Sequence, residues 1–154
     1  MRTRTETYQE LRKKYPPSEP CDCAVCKAYC RRPGWWTVEQ VRNALRAGYA
    51  GRMMLELSPD HSFGVLSPAF RGCEGFYALQ EYAEKGCSFL CCGLCELHDT
   101  PYMPLECSFC HHQNLGKGEE CHNDIGTDWN TKEGQNLVGR WLFLNNLADV
   151  RKRH

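Results

Sequence analysis

Twelve cysteines in a chain of 154 residues leave two ways of folding, a disulfide scaffold or loops gathered around metal ions. They fall in three batches: Cys21, Cys23, Cys26 and Cys30; then Cys73, Cys87, Cys91, Cys92 and Cys95; then Cys107, Cys110 and Cys121. Cys23/Cys26, Cys92/Cys95 and Cys107/Cys110 have the two-residue gap that lets neighbouring thiolates grip one ion.

Compartment decides between the two. Met1 to Lys14 reads MRTRTETYQELRKK, charged throughout and without an apolar run, so neither a signal peptide nor a membrane anchor is expected and a cytoplasmic location is. Cytosolic thiols stay reduced, which favours metal ligands over cystines. Length points to a single domain over residues 1–154, and eight prolines and thirteen glycines to many turns, with metal as the staple. The net charge is zero, although residues 1–60 carry eleven Lys/Arg against seven Asp/Glu and residues 61–154 eight against twelve. Neither part has a dense basic stripe and no helix offers a basic base-reading face, so nucleic acid is not an expected partner; a protein partner stays open.

The expected fold class is α+β, with about three main helices and one or two short β-hairpins. Thr5 to Tyr15 reads as a helix ended by Pro16-Pro17. Ser18 to Gly34 shows no periodicity and reads as a loop shaped by metal. Thr37-Val38-Glu39-Gln40 is a capping box, starting a helix to about Ala47 with Val38, Val41, Ala44 and Leu45 on its apolar face and Gly48 as its stop. Trp35 and Trp36, just before the cap, read as a hydrophobic staple. Arg52 to Leu57 and Phe63 to Leu66 read as a hairpin, Glu74 to Lys85 as a helix closed by Gly86, and residues 87–90 and 94–98 as a second hairpin around Gly93. From Thr131 a long helix is expected, with Leu137, Val138, Trp141, Leu142, Leu144 and Leu147 at helical spacing.

Two stretches offer ligands that turn back on one another. The first is Cys21, Cys23, Cys26 and Cys30, four thiols within ten residues, with Lys27, Arg31 and Arg32 nearby to favour thiolates. The second is Cys107, Cys110 and His111 with Cys121. Mixed thiolate and imidazole ligands suit zinc, whereas iron–sulfur clusters usually take thiolates alone. His112 and His122 are equally readable as ligands or as surface hydrogen-bonding groups. Cys91 and Cys92 read as buried apolar fillers.

The N-terminal cysteine cluster, then Cys87-Ser88-Phe89-Leu90, then Gly93-Leu94-Cys95-Glu96-Leu97-His98, then Pro104-Leu105-Glu106-Cys107, resembles the YkgJ-like cysteine-cluster family, described as zinc- or iron-chelating domains with a CxxCxxCC run. The likeness covers about residues 21–122. Two features depart from it: Tyr29-Cys30 stands where the family has adjacent cysteines, and Met103-Pro104 replaces Arg-Pro. Spacing alone pairs Cys92 with Cys95, but the resemblance implies that Cys87, Cys95 and Cys107 are ligands and that Cys91 and Cys92 vary.

The expected function is metal chelation, zinc preferred, with the ions mainly structural. The first centre would use Cys21, Cys23, Cys26 and Cys30, completed if needed by Cys87 or Cys95, and the second Cys107, Cys110, His111 and Cys121. The alternative is an iron or [4Fe–4S] redox protein or enzyme using the same cysteines. No catalytic residue follows from the sequence.

Overall fold

The structure, a computed structural model, describes residues 4–19, 21, 23–92 and 94–152, with the backbone alone for Arg4, Thr5 and Cys30. Helix α1 (Arg4–Lys14) is carried one bond further by the Tyr15 amide donating to the Leu11 carbonyl, and stops at the two prolines. Tyr15 is its anchor. It is buried, packs edge-on against Phe109 with ring centroids 5.0 Å apart, and donates its hydroxyl to Asp124 at 2.5 Å.

Where a loop was expected, the chain forms α2 (Ala24–Arg31), with Cys23 as its N-cap. The sequence AVCKAYCR holds two alanines, Lys and Arg, good helix formers, and cysteines 23, 26 and 30 are spaced three and four apart, a helical period. Ligand spacing had hidden helix spacing. The capping box forms as expected: the Gln40 amide donates to Thr37 Oγ1 at 3.2 Å and the Thr37 amide to Gln40 Oε1 at 3.1 Å, opening α3 (Val38–Arg46). Gln40 has a second role. Its Oε1 also accepts from the Leu105 amide at 3.0 Å and its Nε2 donates to the Met103 carbonyl at 3.0 Å, which fixes the start of α4 (Leu105–Phe109).

Strands β1 (Met53–Leu57) and β2 (Gly64–Pro68) form the expected hairpin, paired from Met53 with Pro68 to Leu57 with Gly64. The expected helix over 74–85 is instead β3 (Phe76–Tyr77), parallel to β1, followed by a 3-10 helix over Gln80–Lys85. The free edge of β1 explains this: the Gly75 amide donates to the Met53 carbonyl and the Ala78 amide to the Leu55 carbonyl, each at 2.8 Å. A tertiary edge overrides a helical pattern of this length. The second hairpin is short, β4 (Leu90–Cys91) with β5 (Leu94–Cys95); its expected turn residue Gly93 lies outside the described residues. Arg52 joins it to the sheet, reaching Glu96 at 3.1 Å and lying over the Phe89 ring.

Helix α5 (Gly118–Trp129) was not expected, since two glycines and a polar composition blur its period. Its buried positions Cys121, Ile125, Asp128 and Trp129 fall on one face. Helix α6 (Lys132–Leu144) is the expected long one, with Thr131 accepting from the Gly134 amide as its cap. Trp36, Trp129 and Trp141 form the middle of the core, each fully buried with its indole N–H on a carbonyl: Tyr102, Trp36 and Ala50 respectively. The result is the expected α+β class, small and rich in turns. Among the described residues no helix is long and apolar enough to cross a membrane.

Candidate metal centre

Cys21, Cys26, His111 and His112 form a group whose ligand atoms all lie within 4.8 Å of one another, and which could hold a metal ion. The centre of the arrangement is His112 Nδ1, with the sulfurs of Cys21, Cys23 and Cys26 at 3.6, 3.6 and 3.3 Å. One imidazole nitrogen has a single proton or lone pair and cannot satisfy three thiols. A metal ion can: ligand atoms about 2.0–2.3 Å from one ion at tetrahedral angles lie about 3.5–3.8 Å apart. The three sulfurs come from the first turn of α2 and the residues before it, and His112 from the turn after α4, so the group joins two segments separated by 86 residues.

Backbone groups assist. The His112 amide donates to the Cys26 sulfur at 3.3 Å, an interaction that favours a thiolate. The Cys26 amide, followed by the Cys21 thiol, holds the Cys23 thiol down to about 7, as thiols at helix N-termini generally behave. Burial pushes Cys26 the other way, to about 11. A cation among the three sulfurs would draw all of them into the thiolate form. His111 is buried, stacks at 4.2 Å on His112, and accepts the Gln113 amide on its Nδ1 at 3.1 Å.

The expected division of ligands therefore changes. His111 lies with the first cysteine batch and not with Cys107, Cys110 and Cys121, which among the described residues make no such group. His112, left undecided by the sequence, sits at the centre. Its signal was present in the Cys110-His111-His112 run, but nothing local says which cysteines it faces. The Cys30 side chain lies outside the described residues.

The remaining candidates separate into two places. Burial, then the Cys87, Glu106 and Cys95 charges, raise the Cys107 thiol well above its usual value, so Cys87, Cys95 and Cys107 lie within electrostatic reach of one another. Burial also pushes Cys87 to about 11. The Cys87 amide donates to the Arg31 carbonyl at 3.1 Å, bringing the end of α2 to this group. Gly34 closes over it; a Cβ there would stand 2.5 Å from the Cys107 sulfur. Cys110, pushed to about 12 by burial, and Cys121, raised by burial and by Glu106 and Cys110, lie near α4 and α5. Cys91 and Cys92 are exposed, 3.4 Å apart at sulfur, where burial had been expected.

A cleft of about 780 Å³ opens beside these thiols, lined by Trp35, Glu56, Tyr77, Glu106, Cys107 and His122 among others. Trp35 organises it. Its amide donates to Glu106 Oε1 at 2.8 Å, its indole N–H to Glu56 Oε2, and its ring stacks on His122 at 3.7 Å. Glu106 Oε2 in turn lies 2.8 Å from His122 Nδ1. Burial alone would lower the His122 pKa, but the Glu106 hydrogen bond and charge, with Glu56, outweigh it and raise it. Trp35, expected to staple α3, instead shapes this wall; Trp36 is the buried one.

The chain matches no protein-family model, no curated protein and no solved structure.

Proposed function

We propose that this chain is a zinc protein in which Cys21, Cys23, Cys26 and His112 complete a tetrahedral shell and the ion is structural. The observation that carries this is the set of three sulfurs within 3.6 Å of one imidazole nitrogen. Three thiolates and one imidazole form a closed zinc shell with no position left for substrate. His111 stands outside it: a neutral imidazole accepting on Nδ1 carries its proton on Nε2, which makes it a donor and not a ligand. Its place is that of an outer-shell group orienting the ligands.

Iron–sulfur chemistry, the other reading of the cysteines, is less well supported, because a thiolate cluster would not centre on an imidazole. Membership of the YkgJ-like cysteine-cluster family fits the zinc reading, with Cys87, Cys95 and Cys107 as the family pattern implies, and Cys30 next to Arg31 as the nearest fourth thiol in sequence. A reducing cytoplasm would keep these thiols available.

Metal analysis and a visible spectrum on anaerobically purified protein test the proposal. Colourless protein with stoichiometric zinc that is lost in Cys26→Ser is the expected result; iron with acid-labile sulfide overturns it. A zinc content that Cys26→Ser leaves unchanged removes these four residues as the shell.

A further inference from the structure

None of Cys21, Cys26, His111 and His112 lines the cleft beside Trp35, so its shape needs an explanation of its own. The unusual group there is Glu56, near the end of β1. One of its oxygens accepts the Trp35 indole N–H. Among the described residues its other oxygen has no hydrogen-bond partner, and Glu56 lines the cleft. Among the described residues no Lys, Arg or His comes within ion-pair distance of it. Glu106 differs, since His122 and the Trp35 amide already occupy both its oxygens.

We propose that the cleft binds a small organic cation, an amine or guanidinium compound with an apolar body, whose charged group pairs with the Glu56 carboxylate. The volume is that of a small-molecule site. The aromatic rings of Trp35, Tyr29 and Tyr77 on the walls suit both an apolar body and an adjacent positive charge. An anion would meet Arg32, which also lines the cleft with His61, but against it the carboxylates of Glu56, Glu106 and Glu119, with His122 held by Glu106. Burial raises the Glu56 pKa more than the Trp35 hydrogen bond and the His122 and Arg32 charges lower it, as for a buried carboxylate with no counter-charge in contact. Trp35 keeps the wall rigid, because its amide, its indole N–H and its ring face are each held by a different residue.

The test uses the full chain with its metal, isotopically labelled so that the Trp35 indole N–H is followed by NMR. Phenethylamine is the probe, with 2-phenylethanol and 3-phenylpropionate as neutral and anionic matches. The amine should shift the Trp35 signal to saturation and bind at least about tenfold more tightly than the alcohol, the scale of one charged hydrogen bond. Glu56→Gln, which keeps an acceptor for the indole, should remove that advantage, and Ala78→Trp, on the cleft wall, should abolish binding. The proposal is overturned if the carboxylate binds as tightly as the amine, if neither variant weakens the amine, or if no probe moves the Trp35 signal. Should Glu56→Gln lose the native spectrum, Ala78→Trp decides alone. Zinc content measured on the same samples separates this result from the metal proposal, which survives a failure here.

Discussion

Cys26 and His112 hold each other twice: the His112 amide donates to the Cys26 sulfur at 3.3 Å, and the His112 Nδ1 stands 3.3 Å from that same sulfur. The two residues come from α2 and from the turn after α4, so one ion between them would add a direct tie to the hydrogen bonds that already join Ser18 to Ser108, Phe109 and Asn114. Neither Cys21 nor Cys23, both outside the apolar core, has packing to replace that bond.

Cys26→Ser keeps the size of the side chain and removes the thiolate. Zinc affinity should fall by more than the roughly 10–100-fold that outer-shell changes cost, because a direct bond is lost. Competition with a chromophoric chelator measures this. Cys73→Ser, in the separate small apolar cluster with Met54, Ala69 and Phe70, should leave the affinity unchanged. Equal losses in both would mean that the effect is one of folding.

The two adjacent histidines should behave differently. His112→Ala removes a ligand, so metal stoichiometry drops. His111→Ala removes the acceptor of the Gln113 amide and the ring stacked on His112, so stoichiometry holds while affinity falls by about 10–100-fold. The reverse order, with His111→Ala emptying the site, would exchange the two roles.

Gly34 and Gly51 make a matched pair. A Cβ on Gly34 would lie 2.5 Å from the Cys107 sulfur and 2.9 Å from its backbone nitrogen, whereas a Cβ on Gly51 meets nothing within 4 Å. Gly34→Ala should therefore cost about 1–3 kcal/mol through overpacking. Gly51→Ala should be neutral or gain a few tenths of a kcal/mol by restricting the unfolded chain. Denaturant midpoints of the two variants check it, and a neutral Gly34→Ala would show that α4 can move away from the Gly34 loop.

These outcomes bear on how much a sequence can disclose. Thr37 and Gln40 were readable as a capping box because both partners lie within one turn, and the long helix from Thr131 because its apolar residues repeat locally. The helix at Ala24–Arg31 was obscured because the same cysteine spacing serves both a metal loop and a helix face. Phe76–Tyr77 was misread because its partner is the β1 edge, some twenty residues earlier, which no local window contains. Cys21, Cys23 and Cys26 were legible as one candidate group because they lie close in sequence, and the structure brings their sulfurs together around one imidazole nitrogen. That His112 joins them was not legible, since His112 is brought in by α4, and α4 is placed by Gln40 from yet another element.

Cys91 and Cys92 had been expected to be buried, and their exposure gives a direct readout. In zinc-loaded protein they should be the fastest thiols to alkylate, ahead of Cys73, Cys87 and Cys121, which are buried. Mass mapping after brief iodoacetamide treatment distinguishes them. Addition of a chelator should then expose Cys21 and Cys23, but leave the order of the buried thiols unchanged. Early labelling of Cys73 in the loaded protein would contradict the fold around it.

Glu56 supplies the pH-dependent test. Burial raises its carboxyl pKa in the folded state above the ordinary value of 4.5. A group raised in this way gives its full stabilisation below the unfolded pKa and loses it as pH rises through the folded one. At neutral pH Glu56 is thus a burden on the fold, since burial opposes its ionisation and the Trp35 indole N–H offsets only part of that. Glu56→Gln preserves that hydrogen bond and removes the charge, so the variant should melt higher than the parent at pH 7. Each kcal/mol gained reads as roughly 2–4 °C in a domain of this size. Below about pH 4.5, where both states of the parent are protonated, the difference should disappear. Melting curves for the two proteins across pH 4–8 decide the matter: a gap that opens as pH rises is expected, and a gap that is constant or reversed would mean that Glu56 has a counter-charge within the protein and that the cleft has no need of a cation.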